Sequence, residues 1–291
     1  MTLTSELDIA RYKASAVPES NIWLNTLPSK TIGLLLDNNT FRISISLRLG
    51  TNICVPHTCI CGTQVDSSGI HGLSCSMSAG RHSRHSSLNE IIHRSLASAK
   101  YPAMLEPVGL RRDDNKRPDG MTLVPWTKGQ MLVWDATCTD SLAPSHVNLS
   151  SKTGGAVAES AAVETLGPWC REARNFVECL GKRIASITGE PRATSYLRQK
   201  ISIAIQRGNA ASVMGTLPTD WMAKAHLVSF QVSDLRTKNH FSGWWLVARV
   251  IPLPRSLGEY PYHREGFAFR GGIIPLGGTD QAAGILHWSF V

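Results

Sequence analysis

The stretch "CVPHTCICGTQVDSSGIHGLSC", residues 54–75, constrains this chain more than any other. It carries Cys54, His57, Cys59, Cys61, His71 and Cys75 among Gly, Ser and Thr, with too few apolar side chains to order itself by burial. A tetrahedral zinc ion needs thiolate and imidazole ligands on a chain that folds back on itself, and Gly62 and Gly69 supply turns. The preferred ligand set is Cys59, Cys61, His71 and Cys75, with Cys54 and His57 as substitutes. The Cys-x-Cys spacing is tighter than the usual Cys-x-x-Cys, and the competing reading is a group of buried free thiols. Seven cysteines in all is an odd number for a disulfide framework. Cys138, Cys170 and Cys179 are scattered, and the N-terminus lacks the apolar stretch of a secretory signal, which favours metal over bridges.

The chain has 291 residues, 42% of them hydrophobic, enough for a substantial core in one or two domains. No run of about 18 apolar residues occurs, so no membrane span and an intracellular location are expected. Thirty Lys and Arg against 22 Asp and Glu leave a formal charge of +8, which favours polyanionic partners. The basic residues concentrate in "GRHSRHSSLNEIIHR" (80–94) and again over 171–207. Ordinary solvated helix faces are the plainer account of both.

Elsewhere the pattern alternates helix and strand. Phe41, Ile43, Ile45 and Leu47 fit a strand or a tight helix, and Leu88, Ile91, Ile92 and Leu96 recur at helical spacing. "AMLEPVGL" reads as a strand, and "RPDGMTLVPWTKGQMLVWDAT" reads as two strands joined by a turn. "GGAVAESAAVETL" reads as a helix, as do 168–187 and the stripe Leu197, Ile201, Ile205. Beyond residue 216 no sustained period is present and no fold is assigned.

The strand pair ends in two acids, Asp119 after Pro118 and Asp135 after Trp134. Carboxylates brought together at strand ends are hard oxygen ligands of the kind that hold Mg²⁺ in a nuclease. Glu106 on the preceding strand and Glu90 on the helix before it are further candidates. By spacing alone, solvated turn acids are the simpler reading.

Several segments within 48–209 together resemble the C-terminal part of reverse-transcriptase polyproteins of non-LTR retrotransposons. They are "RLGTNICVPHTCICG", "GIHGLSC", "GRHSRHSSLNEIIHR", "EPVGLRRDDNKRPDG", "WDATCTDSLAPSH", "AVETLG" and "QKISIAIQRGNA", in that order, over more than half of the chain. The resemblance implies a Cys-Cys-His-Cys knuckle at Cys59, Cys61, His71 and Cys75, followed by a restriction-like endonuclease of the PD-(D/E)xK type. Its acids would be Asp119 and Asp135, with Glu106 and Glu90 less directly matched. The implied class is α/β: an N-terminal helical or extended segment (1–50), a zinc knuckle (51–79), a nuclease-like core with a mixed sheet flanked by helices (80–215) and an irregular tail (216–291). Zn²⁺ and Mg²⁺ are the expected cofactors. DNA is the expected partner, with RNA the other polyanion, contacted by Arg81, Arg84, Arg94, Arg198 and Arg207, and the location would be nuclear if the protein acts.

This chain departs from the family's pattern in three ways. No reverse transcriptase accompanies the segment, so no polymerisation is expected. Thr137 stands where the motif lysine belongs. The connection before "AVETLG" is shorter than in relatives. The alternative expectation is therefore a catalytically inactive nucleic-acid-binding fragment, or a decayed relic of a mobile element.

Overall fold

The computed structural model describes residues 5–110 and 117–217, together with the backbone of 285–288. Two helices open the described chain, α1 (Glu6–Ala16) and α2 (Asn38–Leu49). The alternating Phe41–Leu47 stretch is helical because Asp37 caps it, accepting from the Asn39 and Thr40 N–H groups, each at 3.0 Å. Ile43 and Leu47 then fall one turn apart and face Ala10 and Ala14 of α1, while Gly50 ends the helix in a left-handed conformation.

The knuckle segment holds a short antiparallel pair, β1 (His57–Thr58) with β2 (Gln64–Val65), and a single turn, α3 (His71–Ser74). The long helix α4 (Ala79–Ser98) follows and leads into β3 (Ala103–Leu105), β4 (Gly120–Thr122) and β5 (Met131–Trp134), an antiparallel meander. A second small pair, β6 (Cys138–Thr139) and β7 (Val163–Glu164), runs parallel around the short helix α5 (Val147–Lys152). Two long helices, α6 (Arg171–Thr188) and α7 (Ala193–Met214), come next. The final strand, β8 (Ile285–Trp288), lies parallel to β5 on the sheet edge. One piece of the tail expected to be irregular is therefore a strand, and the rest of 218–291 lies outside the described residues.

Helix α7 is the axis of the molecule. Leu197, Ile201 and Ile205 pack with Leu88, Ile92 and Leu96 of α4, Leu132 and Trp134 of β5, and Phe176, Val177 and Leu180 of α6. Its C-terminal half, through Ala210 and Val213, joins α1, α2, Ile53 and Leu73 in a second cluster. The α4–α7 crossing is close: a Cβ on Gly80 would stand 2.2 Å from the Ser212 nitrogen, and one on Gly208 2.3 Å from the Arg84 Cβ. Only glycine lets the two backbones approach so far.

The expectation of a helix over "GGAVAESAAVETL" is corrected. That segment is a 3₁₀ turn (Ala158–Ser160) followed by β7. The Ala162 and Val163 N–H groups donate to the Thr137 carbonyl, at 3.1 and 3.2 Å, so pairing with the β6 side outweighs the helical propensity of its alanines. Helix α6 begins at Arg171 because the Cys170 sulfur caps it, accepting from the Ala173 N–H at 3.2 Å. Among the described residues no helix is long and apolar enough to cross a membrane.

Candidate functional site

Two clusters carry chemistry. The first is built by the β1–β2 turn and α3. The Cys59 N–H donates to the Thr63 carbonyl at 2.9 Å, and Gly62, at φ +86°, reverses the chain so that Cys59 and Cys61 converge. Helix α3 presents His71, and Cys75 follows at its end. The ligand atoms of Cys59, Cys61, His71 and Cys75 all lie within 4.8 Å of one another, an arrangement that could hold a metal ion. Apart from these cysteines the local core is Val65. The two substitutes are engaged elsewhere. The Cys54 thiol faces the Asp66 carbonyl at 3.5 Å, and His57 bonds Thr216 Oγ1 at 3.1 Å and the Val55 carbonyl at 3.0 Å. Burial pushes the Cys59 thiol up to about 11, whereas hydrogen bonding from Thr63 brings Cys61 down to about 6. A bound cation would hold its thiols as thiolates.

The second cluster sits at one end of the β4–β5 hairpin. Asp119 immediately precedes β4 and Asp135 immediately follows β5, so antiparallel pairing of Gly120 with Trp134 brings both acids to the same end. The two carboxyls are close enough for the Asp119 charge to act on Asp135. Asp119 Oδ2 accepts from the Ala136 N–H at 2.6 Å, and Oδ1 lies 3.0 Å from His85 Nε2 on α4. His85 Nδ1 faces the Ala136 carbonyl at 3.1 Å, and Asn89, one turn on, contacts Nε2 and accepts from the Trp134 indole N–H at 3.0 Å. The Thr137 hydroxyl donates to Asp135 Oδ1 at 3.1 Å.

The environment splits the two acids. Burial alone would push Asp119 up, but hydrogen bonds from His85 and the Ala136 N–H outweigh it and leave the carboxyl below its usual range. For Asp135, burial and then the Asp119 charge push the carboxyl up. The Asp119 hydrogen bond raises His85. A divalent cation would stabilise both carboxylates at once. The group is more open than the cysteine cluster: His85, Asp119 and Asp135 do not close to within 4.8 Å of one another.

Other expected site residues fall differently. Glu90 pairs with Arg94 on the same helix face, and Glu106 is an exposed residue just past β3 whose N–H donates to the Asp119 carbonyl at 2.9 Å. Arg81 is exposed and donates to the Ser74 carbonyl at 3.3 Å. Arg198 pairs with Glu178 at 2.9 Å, and the exposed Arg207 donates to the Leu35 carbonyl at 2.8 Å. Arg84 is a correction. It is 3% exposed and donates to Asn209 Oδ1 at 2.8 Å, so its charge serves the interior and cannot reach a phosphate.

Compared with known proteins, the chain stands on its own geometry. It matches no protein-family model and no curated protein. The residues that sequence reasoning passed over are His85 and Asn89, whose spacing of four on a helix places them on one face, and a buried pair, Asp140 and Glu164.

That pair lies on and beside β6 and β7. Asp140 Oδ1 accepts from the Leu142 N–H at 3.0 Å and from the Thr165 hydroxyl at 3.1 Å, and Glu164 Oε1 accepts from the Ala158 N–H at 2.8 Å. Each keeps one buried carboxyl oxygen without a hydrogen-bond partner. Burial raises both pKa values. The folded state therefore holds these protons more tightly than the unfolded chain. The resulting stabilisation is full below the ordinary carboxylate pKa and is lost as pH rises through the raised one. Glu164→Gln is expected to flatten the fall of stability above pH 5, removing a slope of at most about 1.4 kcal/mol per pH unit. Urea denaturation from about pH 5 to about pH 8 measures it, and parallel wild-type and variant curves would refute it.

Proposed function

We propose that the chain is a metal-dependent nuclease-like domain of the PD-(D/E)xK type with a zinc knuckle, related to the C-terminal part of non-LTR retrotransposon polyproteins, acting on DNA. The observation that carries this reading is the pairing of Gly120 with Trp134, which sets Asp119 and Asp135 at one end of a β-hairpin. The sheet β3-β4-β5-β8, antiparallel but for its last pair and preceded by α4, supports it, because the resemblance implies a mixed sheet flanked by helices.

Zinc is the metal that suits the first cluster. Zinc–sulfur bonds of about 2.3 Å in a tetrahedron set two sulfurs about 3.8 Å apart, and Cys59 Sγ and Cys75 Sγ stand 3.7 Å apart. Cys61 Sγ and His71 Nε2 stand 3.2 Å apart, somewhat tighter than the about 3.5 Å that zinc sets for sulfur and nitrogen.

In the acid pair, Asp119 and Asp135 offer the hard oxygens that bind a divalent cation. A cation bound there polarises a scissile phosphate and lowers the pKa of an attacking water. Asp119 is aimed by the Ala136 N–H and His85, and the excess of basic side chains draws the polyanion in. The second reading, a binding module without catalysis, is favoured by Thr137. Its neutral hydroxyl bonds Asp135 where the motif lysine would offset charge on the phosphate.

The test is nicking of supercoiled plasmid with Mg²⁺ or Mn²⁺. The wild type is expected to nick slowly and Asp119→Asn not at all. Thr137→Lys is expected to gain about 10²-fold, the usual worth of one group that stabilises transition-state charge. Retained DNA binding with no metal-dependent nicking in either active-site form would establish the second reading. Equal nicking by wild type and Asp119→Asn would remove the acid pair from the chemistry.

A further inference from the structure

We infer that His85 is a metal ligand together with Asp119, making a mixed imidazole and carboxylate site that takes a transition-metal ion such as Mn²⁺ in preference to Mg²⁺; this rests on the cation-binding reading of Asp119 and Asp135. The geometry around the ring carries it. A metal-bound histidine characteristically gives its other N–H to a carbonyl or carboxylate, which fixes the tautomer and aims the free nitrogen at the ion. His85 has that arrangement, with Nδ1 3.1 Å from the Ala136 carbonyl and Nε2 directed at Asp119 Oδ1.

The separation of the two donors fits a shared ion. In an octahedral shell with bonds of about 2.1 Å, neighbouring donors lie about 3.0 Å apart, and His85 Nε2 and Asp119 Oδ1 are 3.0 Å apart. A shared proton produces the same spacing, so the experiment has to separate ion from proton. The same peptide, Ala136, fixes both ligands: its N–H holds Asp119 Oδ2 and its carbonyl holds His85 Nδ1. The Asn89 amide nitrogen lies 3.2 Å from the same Nε2, so an ion there replaces that contact, while the Asn89 carbonyl is held by the Trp134 indole. This frame is rigid, since Trp134 is buried in the core between sheet and helices. The cluster still reaches solvent, with the His85 side chain 46% exposed and Asp119 14%.

A nitrogen donor changes which ion the site prefers. Mg²⁺ favours oxygen and holds its water tightly, whereas imidazole binds first-row transition metals well. The site is therefore expected to bind Mn²⁺ more tightly than Mg²⁺.

The test uses the full zinc-loaded chain and Mn²⁺ as the probe, read by electron spin-echo envelope modulation and by titration calorimetry against Mg²⁺. The Mn²⁺ spectrum is expected to carry nitrogen modulation from one imidazole, and labelling with ¹⁵N-histidine should change its frequency. His85→Gln should abolish the modulation and weaken Mn²⁺ by at least about tenfold, an amount typical of losing an interaction at a metal site. Mn²⁺ bound without nitrogen modulation, at an affinity His85→Gln leaves unchanged, would overturn the ligand role while leaving the acid pair as a cation site. No Mn²⁺ binding by the wild type would overturn both. If His85→Gln fails to fold, the labelled wild-type spectrum decides alone: a changed frequency supports the ligand and an unchanged one refutes it.

Discussion

Cys75→Ser is expected to release the metal from the knuckle and to melt the β1–β2 turn around it. The cluster of Cys59, Cys61, His71 and Cys75 surrounds itself with almost no apolar material beyond Val65, so burial cannot replace the ion. Structural zinc in small knuckles contributes about 10 to 16 kcal/mol of apparent binding free energy, more than a whole domain's usual margin of stability. The damage should spread to the C-terminal end of α7. Gly72 and Gly80 lie against the Ser212 and Val213 backbone, and His57 bonds Thr216 across the same junction. Metal analysis of the purified wild type should find about one zinc per chain, and Cys75→Ser and His71→Ala should each lose it. Limited proteolysis should then cut within the knuckle of the variants first. Full zinc content in both variants would refute the assignment.

Arg84→Ala is expected to cost about 1 to 3 kcal/mol of stability, the range found when a buried hydrogen-bond acceptor loses its partner. Arg84 is the buried cation whose charge acts on Asp140, and it reaches Thr165 through Asn209, which donates to the Thr165 carbonyl at 2.7 Å. Its loss leaves Asp140 buried without that charge and leaves Asn209 Oδ1 without its donor. The stem also fills the α4–α7 crossing against Gly208. Arg81→Ala, three residues away but exposed, should leave stability nearly unchanged. Denaturant midpoints for the two variants provide the measurement. If Arg84→Ala stays as stable as wild type and instead weakens DNA binding with a shallower salt dependence, the side chain faces the polyanion after all.

The pair also shows how far sequence carries. Arg81 and Arg84 sit three apart in one basic stretch, and nothing in that stretch says which helix face is covered. Only the arrival of α7, more than a hundred positions later, buries one and leaves the other in water. Glu90 and Glu106 were read as companions of the hairpin acids for the same reason. Position along the chain does not say that Glu90 is taken up by Arg94 one turn on, or that Glu106 meets Asp119 through its backbone N–H.

What the sequence determined by itself is local. The four knuckle ligands lie within one short segment whose glycines force it back on itself, so the cluster was legible before any packing was known. The Asp119 and Asp135 pair was legible for the same reason, since a hairpin joins them and strand pairing sets which residues share an end. The long helices were legible from their apolar stripes, and Gly189, in a left-handed conformation, ends α6. Tertiary structure alone decided the rest. It selected Cys59, Cys61, His71 and Cys75 over Cys54 and His57 by bonding the latter two to backbone and to Thr216. It turned an alanine-rich segment into β7 by offering it the Thr137 carbonyl and a parallel partner strand. It also carried His85 to Asp119. Periodicity encodes only which residues share a face, whereas contacts between distant segments depend on which faces meet, and that is settled by the packing of the whole core.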